Sequence, residues 1–267
     1  MWCIPGRVAP GDFFCYNILM RELFFQFSNL RKFSEISHAI SNRNFGDMGF
    51  GRISDNEVIH NRQEFLKNLN INLNDIVVAG IAHDSRIVTV GNQEKSRGSK
   101  SLKTAILKTD GLITSQKQIF LMVTVADCLP IFFYDPSLRI VGLLHAGWRG
   151  ILAQIVPKAL EKFNNCGTDA DNLIVGIGPG ICQRHFVVQK DVLDKFKEYN
   201  HKAVFIRNHD GYVDLKKTVL DDLKNAGVLA ENIEISSDCP VCHNGLYGSF
   251  RKEGAKAPVQ AAIIGLI

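Results

Sequence analysis

Three residues of this chain have side chains suited to binding a metal or attacking carbon, and each follows an apolar run. His83 comes after DIVVAGI (75–81), Cys128 after the run containing Val123-Thr124-Val125, and His145 at the end of IVGLL (140–144). Two imidazoles and a thiolate make a three-ligand zinc set that leaves the fourth position open, the usual pattern of catalytic rather than structural zinc. The same residues permit chemistry without a metal: Cys128 as nucleophile, His145 as its base and Asp127 as orienter, in a cysteine hydrolase or deamidase. A depressed thiol pKa serves both roles, so the residues alone leave both open. Asp135 and Pro136 supply a turn between the 123–125 and 140–144 runs, and hairpin pairing there would bring Cys128 to His145.

Other features carry weaker chemical signals. Arg149, in HAGWRG (145–150), is a candidate anion contact, and Trp148 beside it offers an aromatic face for a planar ligand. Arg52 and Arg251 join Arg149 as candidate anion contacts, since a planar guanidinium suits an oxyanion such as phosphate bidentately. The Gly178-Pro179-Gly180 turn lacks a phosphate-loop signature and reads as a plain strand-to-loop turn. Cys239 and Cys242, in DCPVCH, form a single C-x-x-C with no second pair, which reads as buried or redox-sensitive thiols more readily than as a zinc knuckle. A copper-dependent phenol oxidase would need more histidines in H-x-H pairs; the eight histidines are dispersed and no such pair occurs.

The elements that must position these residues follow from periodicity. Helices are expected over Asp55–Leu69 behind an Asp cap, Gly150–Phe163 with a kink or boundary at Pro157, Lys190–Tyr199, and Leu215–Ala226 closed by Gly227. Strands are expected at Asp75–Ile81, Gly111–Thr114, Phe120–Val125, Leu173–Ile177, Ile233–Ser236 and Ala261–Ile267. Helices and strands mix without strict alternation, which indicates an α+β fold: a single compact domain with mixed sheets flanked by helices. Residues 1–19 fit no element, and residues 1–23 read as a peripheral extension ahead of a catalytic domain at 24–267.

The chain has 267 residues, a net charge of +4 and seven cysteines in no regular framework. That points to reduced thiols in a cytoplasmic setting. The densest basic run, Lys95–Lys103, lacks interleaved aromatics and reads as a solvated loop, so no nucleic-acid partner is expected. No apolar run reaches the roughly 20 residues needed to span a bilayer. Oligomeric state leaves no readable pattern.

Four blocks carry a family resemblance: ADCLPI (126–131), HAGWRG (145–150), GPGI (178–181) and SFRKEG (249–254). From about Phe24 onward the chain resembles the YfiH family, named for laccase-domain or multicopper polyphenol oxidases and since reassigned as purine nucleoside phosphorylases. The resemblance implies a fold related to cytotoxic necrotizing factor deamidases and zinc held by His83, Cys128 and His145, with copper as the alternative metal. It also implies phosphorolysis of adenosine, inosine, guanosine and methylthioadenosine, deamination of adenosine, and therefore purine nucleosides and phosphate as partners. The chain departs from the family pattern at Asp47, Gly49, Ile81, Val187 and Val259.

Overall fold

The computed structural model describes residues 24–267, so the expected extension at 1–23 lies outside the described residues. Two six-stranded mixed sheets stack face to face. The first runs in the order Phe24–Phe25, Ile36–Ser41, Gln260–Leu266, Phe120–Val125, Ile76–Gly80, Ile106–Leu107. The second runs Ile233–Ile235, Ile174–Ile177, Leu129–Asp135, Ile140–Ala146, Gly111–Thr114, Ile87–Thr89. A small third sheet joins Val187–Val188, Asp210–Val213 and Val204–Arg207. Mixed sheets flanked by helices are what the sequence pattern led us to expect.

The central strands are apolar on both faces because both faces are covered. Between the sheets, Val77, Leu121, Val123 and Ile264 pack with Leu112, Phe132, Val141 and Leu143. On the outer face of the first sheet, Val78, Met122 and Ile263 meet Phe65 and Leu66 of the helix Asp55–Lys67. On the outer face of the second, Ile131, Phe133 and Val175 meet the helices Ile155–Asn165, Lys190–Asn200 and Leu215–Asn225.

Several local expectations shift. The cap of the 55–67 helix is Ser54, whose hydroxyl accepts the Glu57 N–H, while Asp55 is the first helical residue and favours the positive end of the helix dipole. The expected 150–163 helix is two helices, Trp148–Leu152 and Ile155–Asn165, broken at Gln154 in a left-handed conformation (φ 64°). Pro157 therefore falls in the first turn of the second helix, where its missing N–H costs nothing. Gly227 closes the 215–225 helix with φ 95°, as expected of a left-handed C-terminal cap.

The hairpin that carries His145 has a different partner strand from the expected one. Ile140–Ala146 pairs antiparallel with Leu129–Asp135, opposing Leu129 to Ala146 and Asp135 to Ile140. The Asp135 carboxylate accepts the Ser137 and Leu138 N–H groups and shapes the turn. The 120–125 strand lies in the first sheet instead, against Gln260–Leu266. Only Ala126, Asp127 and Cys128 separate the two sheets here, so Cys128 sits where the chain crosses from one layer to the other.

One buried cation ties the 55–67 helix to two loops. The Arg62 guanidinium donates to the Met48, Gly98 and Ser99 carbonyls and lies 4.4 Å from the Phe50 ring centre. Burial lowers its pKa to about 10, which still leaves it charged at neutral pH. Replacing Arg62 with Met should cost about 3 kcal/mol or more, because three carbonyls lose their donors in a dry site. Arg62→Lys should lie between, keeping the charge without the fork. Urea denaturation of the two variants checks the ranking.

Candidate metal centre

His83, Cys128 and His145 arrive from three separate loops and strand ends, and their ligand atoms all lie within 4.8 Å of one another. His83 is exposed, Cys128 half-buried and His145 buried, so the set sits at the floor of an opening. The two rings meet edge to face with centroids 5.0 Å apart.

The second half of the site is Asp110, which sequence reasoning missed. Its buried carboxylate takes the Nδ1–H of His145 at 2.9 Å. The same carboxylate accepts the backbone N–H groups of Ala82, His83 and Asp84 at 3.1, 2.9 and 3.0 Å. Its own carbonyl accepts the His145 N–H at 2.7 Å. His83 adopts a left-handed conformation (φ 59°) rarely taken by a non-glycine residue, and these three N–H bonds hold it there. The signal available in the sequence was an acidic residue heading a strand, Asp110 before Gly111–Thr114, and nothing local distinguished it from a turn carboxylate.

Asp127 does not touch His145. Its carboxylate accepts the Ser249 hydroxyl at 2.8 Å and the Arg251 N–H at 2.6 Å, and its carbonyl accepts the Ile181 N–H. The orienting role expected of it belongs geometrically to Asp110. Asp127 also has a positive φ of 80°, so these bonds fix the strained crossover that presents Cys128. Burial raises its pKa against the opposing hydrogen bonds from Arg251 and Ser249.

The charges of the cluster support one another. Burial works against a thiolate at Cys128, yet the imidazoles of His145 and His83 outweigh it and bring the thiol down to about 6. At His145, burial opposes the imidazolium, but Cys128 and Asp110 raise its pKa to about 9. Burial likewise opposes ionisation of Asp110, and the hydrogen bonds from His145 and the 82–84 backbone win, leaving its pKa below the usual carboxylate value.

The donor set fits a metal ion. With Nδ1 of His145 committed to Asp110, Nε2 is the nitrogen left to ligate, the arrangement usual for metal-bound histidine. Gly147 leaves the space directly beside the donors open: a Cβ there would stand 2.9 Å from the Cys128 sulfur and 3.6 Å from both His83 and His145 ring carbons. Gly150, further along the same block, likewise permits a close approach, since a Cβ there would meet the Asp84 carbonyl at 2.8 Å. Both glycines of HAGWRG are therefore sites where a side chain would collide with the loops that carry the donors.

Above the cluster lies a cavity of about 730 Å³, within the range of small-molecule sites. It is lined by Ile81, Ala82, Trp148, Arg149, Phe250 and Val259 among others, together with all three donors. The three candidate arginines all reach it, and two are committed elsewhere. Arg52 pairs with Asp47 at 2.8 Å and donates to the Ala255 and Ala257 carbonyls. Arg251 donates to the His185 and Val187 carbonyls and packs over Phe186. Arg149 is exposed and stacks on Trp148 at 4.1 Å, and among the described residues no hydrogen bond or ion pair engages its guanidinium. The Gly178–Gly180 turn spends its amides internally, on the Pro130 and Asp238 carbonyls, as expected of a plain turn. No helix among the described residues is long and apolar enough to cross a membrane.

Residues 32–267 match the family described as multi-copper polyphenol oxidoreductase laccase. The chain is 30% identical over 217 residues to purine nucleoside phosphorylase YlmD of Bacillus subtilis, covering 79% of this chain and 78% of that one. It is 30% identical over 202 residues to adenosine deaminase RL5 from an unknown prokaryotic organism, covering 74% and 77%. Among solved structures, YlmD from Geobacillus stearothermophilus superposes with a TM-score of 0.86 at 25% identity, covering 91% of this chain and 98% of that one. The YfiH protein of Bacillus licheniformis gives 0.84 at 29% identity, covering 87% and 93%.

Two outcomes are expected of this site. Asp110→Asn should weaken metal binding by the cluster about 10- to 100-fold, because it releases both the His145 ring and the His83 loop; competition against a chelating dye measures it. In metal-stripped protein, Cys128 should alkylate fast at neutral pH and slow as the pH falls through about 6. A pH profile of its iodoacetamide labelling that instead turned near the ordinary thiol value of about 8.5 would remove the thiolate–imidazolium pairing.

Proposed function

The chain belongs to the multi-copper polyphenol oxidoreductase laccase family, the YfiH family, and from that membership we propose that it is a zinc-dependent purine nucleoside phosphorylase that also deaminates adenosine. The observation that carries the reading is the open set of two imidazoles and one thiolate at the floor of a nucleoside-sized cavity. Relatives named purine nucleoside phosphorylase and adenosine deaminase support the substrate class.

Zinc suits the donor set: borderline-soft, content with nitrogen and sulfur, and catalytic with three protein ligands. When bound by His83, Cys128 and His145 it would supply Lewis acidity at the cavity floor. The chain's own residues do the rest. Asp110 fixes the His145 ring and keeps its Nδ1 protonated. Trp148 and Phe250 offer apolar faces for a purine. Arg149, the uncommitted guanidinium, is the residue we assign to phosphate, where it would bind the nucleophile that attacks C1′ of the ribose as the base departs. Arg52 and Arg251 act through position, Arg52 by holding the 255–257 segment and Arg251 by holding the 185–187 segment, whose Phe186 lines the cavity. Asp127 positions Cys128 and the start of the 250–253 helix.

A second reading has a specific observation in its favour. Cys128, His145 and Asp110 also stand in the order nucleophile, base, orienter, with the thiol already depressed. The second imidazole, His83, favours metal, since it completes a three-donor set where a thiolate–imidazolium pair needs only one imidazole. A copper phenol oxidase fits less well, because the cluster joins only two histidines.

Incubating purified protein with adenosine separates these readings. Free adenine formed only with phosphate indicates phosphorolysis; inosine indicates deamination; neither product would refute the proposal. Cys128→Ala should lose the metal of this cluster and turnover together, and Arg149→Ala should raise the KM for phosphate by about tenfold or more. Activity that resists chelators but not alkylation would instead identify the cysteine hydrolase.

A further inference from the structure

A second group of soft donors lies outside the site just described. Cys182, His185, Cys239 and Cys242 place one ligand atom each within 4.8 Å of all the others. The two halves of the group share no pattern in the sequence: Cys182 and His185 follow the GPGI turn, and only Cys239 and Cys242 share a C-x-x-C. The fold brings the two segments together through the parallel pairing of Ile174–Ile177 with Ile233–Ile235, whose following loops leave side by side.

The spacings match the edges of a tetrahedron around one ion. Zinc–sulfur bonds of about 2.3 Å set sulfur–sulfur edges of about 3.8 Å in tetrahedral geometry, and sulfur–nitrogen edges slightly shorter. Nδ1 of His185 lies 3.3 Å from the Cys182 sulfur, 3.7 Å from that of Cys239 and 3.5 Å from that of Cys242. The Cys182 and Cys242 sulfurs are 4.0 Å apart. One imidazole nitrogen facing three sulfurs can share its single proton or lone pair with only one of them, whereas a cation at the centre engages all four.

Donors also stand close to two of the sulfurs. The Cys182 N–H points at the Cys239 sulfur at 3.3 Å, and Nη2 of Arg184 stands 3.8 Å from the Cys242 sulfur. Three thiolates around a divalent ion carry a net negative charge, which Arg184 would offset. Lys216, held on the Ser236 and Asp238 carbonyls, adds a second cation at the base of the loop. His243, the histidine adjoining the C-x-x-C, stands outside the group; it accepts from the Cys239 N–H.

We propose that Cys182, His185, Cys239 and Cys242 form a second, structural zinc site that staples the 182–186 segment to the C-terminal 239–250 segment. Four protein donors close the coordination shell, which distinguishes it from the open three-donor centre. Its consequence for the cavity is direct. Ile181 and Phe186, on either side of the staple, line the cavity wall, and the His185 carbonyl anchors Arg251. The proposal goes beyond the nucleoside reading and does not depend on it.

The test is metal content of the full chain purified under reducing conditions without added metal. The wild type should carry two zinc equivalents, Cys239→Ser one, and Cys128→Ala one. The Cys239→Ser protein should also melt at a lower temperature. Cobalt reconstitution of the stripped Cys128→Ala protein guards against a variant that fails to fold: it should give the strong thiolate-to-metal charge transfer and tetrahedral d–d absorption of a three-sulfur site. A wild type with a single equivalent that Cys128→Ala abolishes, or a Cys128→Ala protein with no cobalt–thiolate absorption, overturns the proposal. Because these readouts concern metal alone, loss of nucleoside turnover leaves them unaffected.

Discussion

The Asp110 carboxylate is the point on which the site depends. A single buried anion receives the imidazole of His145 and three successive backbone N–H groups of the loop that bears His83. Burying a carboxylate is costly unless donors surround it, and here four do. The arrangement works in both directions. The donors keep Asp110 ionised in a dry location, and the ionised carboxylate fixes the ring orientation of one metal donor and the left-handed backbone of another. A neutral residue at 110 would release two of the three donors at once.

Around that anion, the layered fold provides rigidity where it is needed. The hairpin of Leu129–Asp135 and Ile140–Ala146 is buried along its whole length, so His145 is held by packing on both faces of its sheet. Cys128 lies at the short crossover between sheets, and its presentation relies on Asp127 binding Ser249 and the Arg251 backbone, 122 and 124 residues away in the chain. The three donors are therefore fixed by two separate sets of contacts, His83 and His145 through Asp110 and Cys128 through Asp127. The geometry of the candidate metal site is a property of the whole fold and not of any one loop.

The two donor clusters illustrate how ligand count separates chemistry from architecture. Two imidazoles and a thiolate at a cavity floor would leave a bound zinc one coordination position open to the cavity. Three thiolates and an imidazole leave none, and the segments they would join wall the cavity. The arginines divide in the same way. Arg52 and Arg251 spend their guanidinium donors on backbone carbonyls and an aspartate, while Arg149 stacks on Trp148 and, among the described residues, makes no hydrogen bond or ion pair.

What the sequence determined by itself was composition and local pattern: the donor residues His83, Cys128 and His145, the apolar runs that lead into them, the Gly227 helix stop and the mixed α+β character. These are legible because strand and helix periodicity and turn chemistry act over a few residues. Tertiary structure alone decided the rest. Asp110 looked like any turn carboxylate until the 140–146 strand set His145 against it, and Asp127, adjacent to Cys128 in sequence, turned out to face Ser249 and Arg251. The hairpin partner of the His145 strand was 129–135 because the preceding run was claimed by the other sheet. Cys182 and His185 joined the Cys239 and Cys242 pair only because two strands distant in the chain, 174–177 and 233–235, pair side by side. Hydrogen bonds and ligand geometry are satisfied in space, between groups whose separation along the chain is arbitrary, and so a single sequence names the participants without naming their partners.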